Sequence, residues 1–175
     1  MKIDRSVKVK EIVNKFEMEV ICEGAEYETE VITITDVNRP GLQLTGYFDY
    51  FDFKRMQLLG MSETSYLGGL SSEERTKRFA ALFEYDIPAL VVTRELDVFP
   101  ECIEMAQKYG RTLLRTHLSS IEFTSGVVEY LNHELAPMIA RHGVLMDVAD
   151  YIEGKRSYMD ITLEIRNRSV RKQCD

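Results

Sequence analysis

Apolar positions along the chain form short β-like runs that alternate with stretches of helical spacing. Ile12, Val13 and Phe16 share one face of a helix predicted over residues 10–16. The predicted strands are residues 18–22, 31–35, 56–60, 87–93, 112–116 and 144–148. Such alternation is expected where helices cover the faces of a sheet. The pattern therefore predicts an α/β fold, with a mixed, partly parallel sheet flanked by helices.

Two helix starts are marked by capping boxes. Ser71 precedes Glu74 by three residues, and Ser119 precedes Glu122 by the same spacing. In a capping box the serine side chain accepts from the backbone N–H of the third helical residue, whose carboxylate accepts from the serine N–H. We therefore predict that helices begin at these serines. The second helix should run until Pro137 interrupts it.

A strand–helix–strand unit is predicted in the middle of the chain. Pro100 suits the first turn of a helix and Gly110 its C-terminal stop. This helix lies between the strands at residues 87–93 and 112–116. Because a helical crossover returns the chain to the same end of the sheet, these two strands should pair in parallel.

The last residues carry a different pattern. Met159, Ile161, Leu163 and Ile165 alternate with polar residues, as in a half-buried strand. Residues 149–157 are turn-like and would fold this strand beside residues 144–148 as a hairpin, whereas a disordered tail is the alternative. We therefore predict a domain over residues 1–148 and a divergent tail over 149–175.

Composition and charge exclude several classes of protein. The 175 residues carry a net charge of −7, and the basic residues concentrate after residue 154, so the main body is acidic and a poor match for nucleic acid. No apolar run reaches the roughly 20 residues that a membrane span requires, and no secretory signal is recognisable. These features predict a cytoplasmic protein without a membrane or nucleic-acid partner.

Cysteine and histidine spacing gives no sign of a metal centre. Cys22, Cys102 and Cys174 are odd in number and far apart, which is typical of reduced thiols. The histidines form no i, i+4 pair; they are His117, His133 and His142. We predict neither a disulfide framework nor a bound metal.

A turn and an aromatic run stand out as candidate functional features. Residues 36–41 include Pro40 and Gly41 and are predicted to turn sharply. Five aromatic residues then follow within seven positions: Tyr47, Phe48, Tyr50, Phe51 and Phe53. The rings either fill the core beside the first strands or leave an exposed patch that marks an interface. Tyr47 and Phe51 are the interface candidates.

Several segments together form a specific signature. The longest is DVNRPGLQLTGYFDYF at residues 36–51, and shorter ones are QLLG at 57–60, VVTR at 91–94 and RHGVLMDV at 141–148. These segments resemble the HPr kinase/phosphorylase family of bacteria. The resemblance covers about residues 5–148. It implies the N-terminal domain of that family, with a fold similar to the N-terminal domains of Mur ligases.

The resemblance also implies what the complete family protein does. Such a protein phosphorylates a serine of the phosphocarrier HPr and removes the phosphate by phosphorolysis, which couples sugar uptake by the phosphotransferase system to carbon catabolite repression. ATP and magnesium are implied only for that complete protein. Its phosphate-binding loop needs Gly-Lys-Ser/Thr, whereas Lys155 is followed here by Arg156. The chain is therefore predicted to bind no cofactor and to be inactive alone.

One catalytic position of the family carries over, namely His142 beside Arg141, which would help to arrange the phosphate site. The alternative is a solvated or capped loop histidine.

Three functions are compatible with the sequence. The first, which we favour, is a regulatory and assembly domain that forms homo-oligomers. The second is a small-ligand module for a nucleotide-sugar or sugar phosphate, by analogy with Mur ligases, with Asn38, Arg39 and the aromatic run forming the pocket. The third is an independent enzyme, for which no Gly-x-Ser-x-Gly nucleophile motif is present.

Overall fold

The computed structural model describes residues 5–136, and their helices and strands follow the alternating order of the sequence pattern. The strands are Val7–Lys8 (β1), Glu19–Cys22 (β2), Val31–Ile32 (β3), Val37–Asn38 (β4), Met56–Leu59 (β5), Leu90–Val92 (β6) and Leu113–Arg115 (β7). The helices are Val9–Lys15 (α1), Gly41–Thr45 (α2), Met61–Gly68 (α3), Ser72–Phe83 (α4), Pro100–Tyr109 (α5) and Ser120–Glu134 (α6). No helix within this part of the chain is long and apolar enough to cross a membrane.

The main sheet is mixed, as predicted. Its five strands lie in the order β2-β7-β6-β5-β4. Strands β4 to β7 are parallel, and β2 pairs with β7 in the antiparallel direction. The predicted strand–helix–strand unit is confirmed, because Leu90 pairs in parallel with Leu113 across the crossover through α5. The α/β prediction is therefore confirmed.

The side chains of the central strands alternate between two apolar layers. Leu58, Val91 and Leu114 point into a cluster that contains Ile12 of α1 and Phe123 of α6. The next residues along the strands face the other side, where Leu59, Leu90, Val92 and Leu113 pack with Phe79, Leu82 and Phe83 of α4. Since successive strand residues point to opposite faces, helices cover the sheet on both sides.

The predicted helix ends are largely confirmed. Ser71 Oγ accepts from the N–H of Glu74, and Ser119 Oγ accepts from that of Glu122, with the reciprocal carboxylate contacts present in both boxes. Gly110 ends α5 with a φ of 64°, in the left-handed region that favours glycine. These contacts span three residues or fewer, so they depend on little beyond the local sequence.

Other local predictions were wrong. The strand predicted over residues 31–35 is formed only at Val31–Ile32, and it pairs with β1 outside the main sheet. Val37–Asn38, within the predicted turn, is instead the edge strand β4, because it pairs with Met56–Gln57. Helices α2 and α3 were not predicted; each is eight residues or shorter. The predicted strand at 144–148 and the tail at 149–175 lie outside the described residues.

Candidate functional site

Four parallel strands end along one side of the main sheet, which we call the carboxyl edge. Arg39 directly follows β4, Gly60 follows β5, Thr93 follows β6 and Thr116 follows β7. In open α/β sheets, ligands bind in the crevice outside the carboxyl ends of the strands. The side chains gathered at this edge are therefore the first place to examine for a functional site.

Arg39 is held at the carboxyl edge by a buried carboxylate. Its Nη2 donates to Glu63 Oε2 at 2.8 Å, and the backbone N–H of Gly60 donates to the same oxygen at 3.0 Å. Glu63 is 8% exposed, whereas the Arg39 side chain is 49% exposed. Burial opposes ionisation of Glu63, but the bonds from Arg39 and the backbone prevail and lower the pKa of its carboxyl group. The pair therefore fixes a cation with one side in solvent.

Gly60 lies where Arg39 meets the start of α6. A Cβ atom at this position would be 2.6 Å from Ser120 Oγ, 3.1 Å from Arg39 Nη2 and 3.4 Å from Glu63 Oε2. A contact of 2.6 Å is too short for a real Cβ atom, so a larger residue at position 60 would have to displace the Ser120 hydroxyl. Three polar side chains consequently border one point beside the backbone of Gly60.

The Ser120 hydroxyl is oriented by its neighbour on β6. Thr93 Oγ1 lies 3.2 Å from the Leu59 carbonyl oxygen, to which it donates, and 2.9 Å from Ser120 Oγ. Because threonine has a single hydroxyl proton, the Ser120 hydroxyl is the donor to Thr93 in the arrangement in which Thr93 donates to the Leu59 carbonyl. Ser120 Oγ is thus left with lone pairs that can accept a hydrogen bond at the carboxyl edge.

The turn after β6 is strained. Arg94 and Glu95 have φ values of 62° and 51°, in the left-handed region that residues with side chains rarely adopt. Their backbone N–H groups donate to the carbonyls of Leu118 and Thr116, both at 2.9 Å. These two bonds hold the turn against the segment between β7 and α6. Backbone strain maintained in this way is concentrated at functional sites in proteins.

The candidate residue Asn38 is engaged within the sheet. Its Nδ2 donates to Gln57 Oε1 at 2.7 Å, and the fully buried Gln57 in turn donates to the Arg55 carbonyl at 2.7 Å. The Asn38 amide therefore secures the pairing of β4 with β5. Arg39, the next residue, is the one that reaches the carboxyl edge.

The aromatic run divides between core and surface. Phe48, Phe51 and Phe53 surround Tyr85, with Phe48 stacked on it at 5.1 Å and Phe51 edge-on at the same centroid distance. Phe51 is buried. Tyr47 is half-exposed, and Tyr50 is fully exposed. Of the two predicted interface residues, the structure thus places Tyr47 at the surface and Phe51 among the packed rings.

At the opposite edge of the sheet, acidic side chains line a cavity. Glu30 and Asp86 face it, and burial together with the Asp86 charge raises the pKa of the Glu30 carboxyl. Arg111, the cation of this cavity, is already paired with Asp86 and donates to the Phe83 carbonyl. Among the described residues that line this cavity, no cation is as exposed as Arg39.

The two described cysteines are buried free thiols. Burial raises the pKa of Cys22 and, more strongly, that of Cys102, so both are protonated and unreactive at neutral pH. Within residues 5–136, no group of three or more metal-binding side chains is found.

Comparison with known proteins decides the family. The family model described as "HPr Serine kinase N terminus" matches residues 7–131, which is most of the chain. The chain belongs to this family. A similar relative is the HPr kinase/phosphorylase of Peptoclostridium acidaminophilum, 39% identical over 145 residues; the match covers 83% of this chain and 47% of the relative. That of Clostridium tetani is 42% identical over 142 residues, covering 81% and 46%. The chain thus spans about half the length of the curated relatives it matches.

A solved structure shares the fold of this HPr serine kinase N-terminal family member. It comprises the CBS and DRTGG domains of the regulatory region of Clostridium perfringens pyrophosphatase, complexed with the activator diadenosine tetraphosphate. The match has a TM-score of 0.53 at 17% identity and covers 86% of this chain and 61% of that one. At this identity the likeness shows the fold alone. The similarity to Mur ligase N-terminal domains remains a prediction.

Within this family domain, the structure adds residues that the sequence did not single out. Glu63 and Ser120 complete the surroundings of Arg39, and Gly60 lets these side chains pack close to its backbone. The available signals were a glycine at a strand end with a glutamate three residues later, and a serine next to a capping box. His142 and Arg141 lie outside the described residues, and the role implied for His142 remains a prediction.

Proposed function

We propose that this chain acts as the N-terminal regulatory and assembly domain of an HPr kinase/phosphorylase. The observation that carries the proposal is the family match over residues 7–131, together with relatives of that name of which the chain covers about half. In the complete enzyme, another portion would use ATP and magnesium to phosphorylate HPr in the cytoplasm. The domain described here would contribute contacts between subunits.

Exposed apolar side chains support the assembly role. Leu42, Met61 and Ile121 are 63%, 57% and 77% exposed, and each lies at the start of a helix that begins at the carboxyl edge. The starts of α3 and α6 are brought together by the approach of Ser120 to Gly60. Large apolar residues that are left in solvent near one another mark sites of protein contact. We propose that these three residues, the carboxyl-edge apolar set, contact a second copy of the domain.

Sedimentation velocity at micromolar concentration tests the assembly role. We expect the wild-type chain to sediment as a homo-oligomer and the double variant Met61→Ser/Ile121→Ser to sediment as a monomer. Val31→Ser is the matched control, because Val31 is an exposed apolar residue on the small sheet and should leave the oligomer intact. Phe51→Ser is unsuitable as an interface probe because Phe51 is buried. A wild-type chain that remains monomeric would contradict the proposed assembly.

A chimera links the domain to the family activity. Residues 5–136 would replace the matching segment of the Peptoclostridium acidaminophilum enzyme, and phosphorylation of HPr by ATP would be measured beside the oligomeric state. We expect the chimera to assemble and to phosphorylate HPr, and we expect Met61→Ser/Ile121→Ser to dissociate it. A chimera that assembles but phosphorylates HPr at the same rate as the enzyme from which this segment has been deleted would argue against the regulatory role.

A further inference from the structure

We propose that the carboxyl edge binds a small hydroxylated metabolite through its phosphate or carboxylate group. Arg39 would contact the oxyanion, and Ser120 Oγ would accept a hydrogen bond from a hydroxyl of the same molecule. This site goes beyond the proposed assembly function, since one copy of the domain supplies all of its polar groups.

Arg39 is prepared for an oxyanion. A guanidinium presents five N–H donors in a planar fork that matches carboxylate and phosphate oxygens. Within the described residues, Arg39 donates one side-chain hydrogen bond, to Glu63, and about half of its side chain faces solvent. Glu63 is buried and also accepts from the Gly60 N–H, so its charge is directed at Arg39 and the backbone. The arginine is thus fixed before a ligand arrives, which reduces the entropy lost on binding.

Ser120 and Gly60 give the site a second kind of contact. When Thr93 donates to the Leu59 carbonyl, the Ser120 hydroxyl donates to Thr93, and Ser120 Oγ then offers an acceptor to a ligand. It borders the same point beside Gly60 as Arg39 Nη2 does. A donor and an acceptor side by side suit a ligand with an oxyanion and a hydroxyl better than they suit a bare anion.

The surrounding charge also favours an anion. The N-termini of α3 and α6 meet at this edge, and the positive ends of helix dipoles attract negative groups. Hydrogen bonds from Ser119 are the main cause of the lowered pKa of the Glu122 carboxyl, and the charges of Arg94 and His117 lower it further. The Arg94 cation therefore acts on the start of α6. Arg94 and the two helix N-termini thus supply positive charge at this edge on a chain whose net charge is −7.

Amide chemical shifts of the full-length chain, titrated at constant ionic strength, test the proposal. The test compounds are glycerol 3-phosphate and lactate, each of which has an oxyanion and a hydroxyl group. Inorganic phosphate and acetate are the control anions that lack an alcohol hydroxyl, and glycerol is the control that has hydroxyl groups but no charge. We expect saturable shifts at Arg39, Gly60 and Ser120, with one of the hydroxylated probes binding more tightly than its plain anion. Shifts confined to other regions, or no saturable shift with any probe, would overturn the proposal.

Three substitutions assign the contacts. Arg39→Gln should weaken binding of the tighter hydroxylated probe about tenfold or more. Arg39→Lys should restore only part of the lost affinity, because lysine lacks the planar fork of guanidinium donors. Ser120→Ala should lower the affinity for the hydroxylated probe and leave the affinity for the corresponding plain anion unchanged. The control is Arg78→Gln on α4, which should bind normally. Equal binding by wild type and Arg39→Gln would overturn the site, whereas the oligomeric state of Arg39→Gln reports separately on assembly.

Discussion

Arg75 and Glu101 join helices α4 and α5 through an ion pair that is largely shielded from water. Arg75 Nη2 lies 2.9 Å from Glu101 Oε1, and the side chains are 18% and 10% exposed. Arg75 also donates to the Leu70 carbonyl at 2.7 Å and lies over the Phe99 ring at 5.0 Å. One guanidinium therefore connects the end of α3, the body of α4 and the start of α5.

Replacing the acid of this pair should destabilise the domain. Glu101→Gln keeps the shape of the side chain but removes its charge, so the hydrogen bond from Arg75 is weakened and the guanidinium loses its counter-ion. We expect the free energy of unfolding to fall by about 1.5–3 kcal/mol, as measured by urea denaturation. Glu104→Gln is the control, because Glu104 is exposed on the same helix. Equal unfolding energies for the two variants would show that the ion pair contributes nothing.

The same pair predicts how stability depends on pH. The hydrogen bond from Arg75, followed by one from Ser72, lowers the pKa of Glu101 from its ordinary 4.5 to about 2. A depressed pKa gives stability that is complete above the unfolded value and is lost as pH falls through the folded value. The difference in unfolding energy between wild type and Glu101→Gln should therefore be constant above pH 4.5 and shrink towards pH 2. A difference that does not change over this window would contradict the assignment.

The parts of the fold that were predicted correctly depend on short-range rules. The capping boxes at Ser71 and Ser119 span three residues, and the crossover between β6 and β7 follows from one helix between two apolar runs. The short edge strand β4 was misread as a turn because it consists of two residues that are strand only through pairing with Met56 and Gln57. Pairing partners of that kind are not visible in local periodicity.

Only part of the candidate site was predicted, because its contacts join residues that are far apart along the chain. Arg39 was singled out from its position in the turn and from the family resemblance, but Glu63 is 24 residues away along the chain. Thr93 and Ser120 are separated by 27 residues. Their contacts exist because parallel strands deliver their carboxyl ends to one edge, and the order of those strands cannot be obtained from the spacing of apolar residues alone.

The chain alone is expected neither to phosphorylate HPr with ATP or pyrophosphate nor to release phosphate from serine-phosphorylated HPr. Its 175 residues contain no Gly-x-x-x-x-Gly-Lys-Ser/Thr loop. Phosphoryl transfer relies on positioning and on donors around the γ-phosphate, where losing a single comparable donor costs ~10²–10³ in rate. Transfer of radiolabelled phosphate by wild type and His142→Ala is the measurement, with the Clostridium tetani relative as the positive control. Turnover by wild type that His142→Ala abolishes would contradict this expectation.

Close approach at the carboxyl edge predicts a specific coupling between Gly60 and Ser120. The φ of Gly60 is −111°, which any residue can adopt, so Gly60→Ala introduces a steric cost rather than a backbone one. The new Cβ would lie 2.6 Å from Ser120 Oγ, and we expect the free energy of unfolding to fall by about 1–3 kcal/mol.

A double-mutant cycle separates this contact from a general effect of alanine. Ser120→Ala removes the Oγ atom that the new Cβ meets, so Gly60→Ala should cost clearly less in the Ser120→Ala background than in wild type. Gly41→Ala is the matched control, because Gly41 begins helix α2 and a Cβ there has nothing within 4 Å. That substitution should be neutral or slightly stabilising in urea denaturation. Additive effects of Gly60→Ala and Ser120→Ala would show that the two residues do not meet as described, and would remove the shared point on which the proposed ligand site depends.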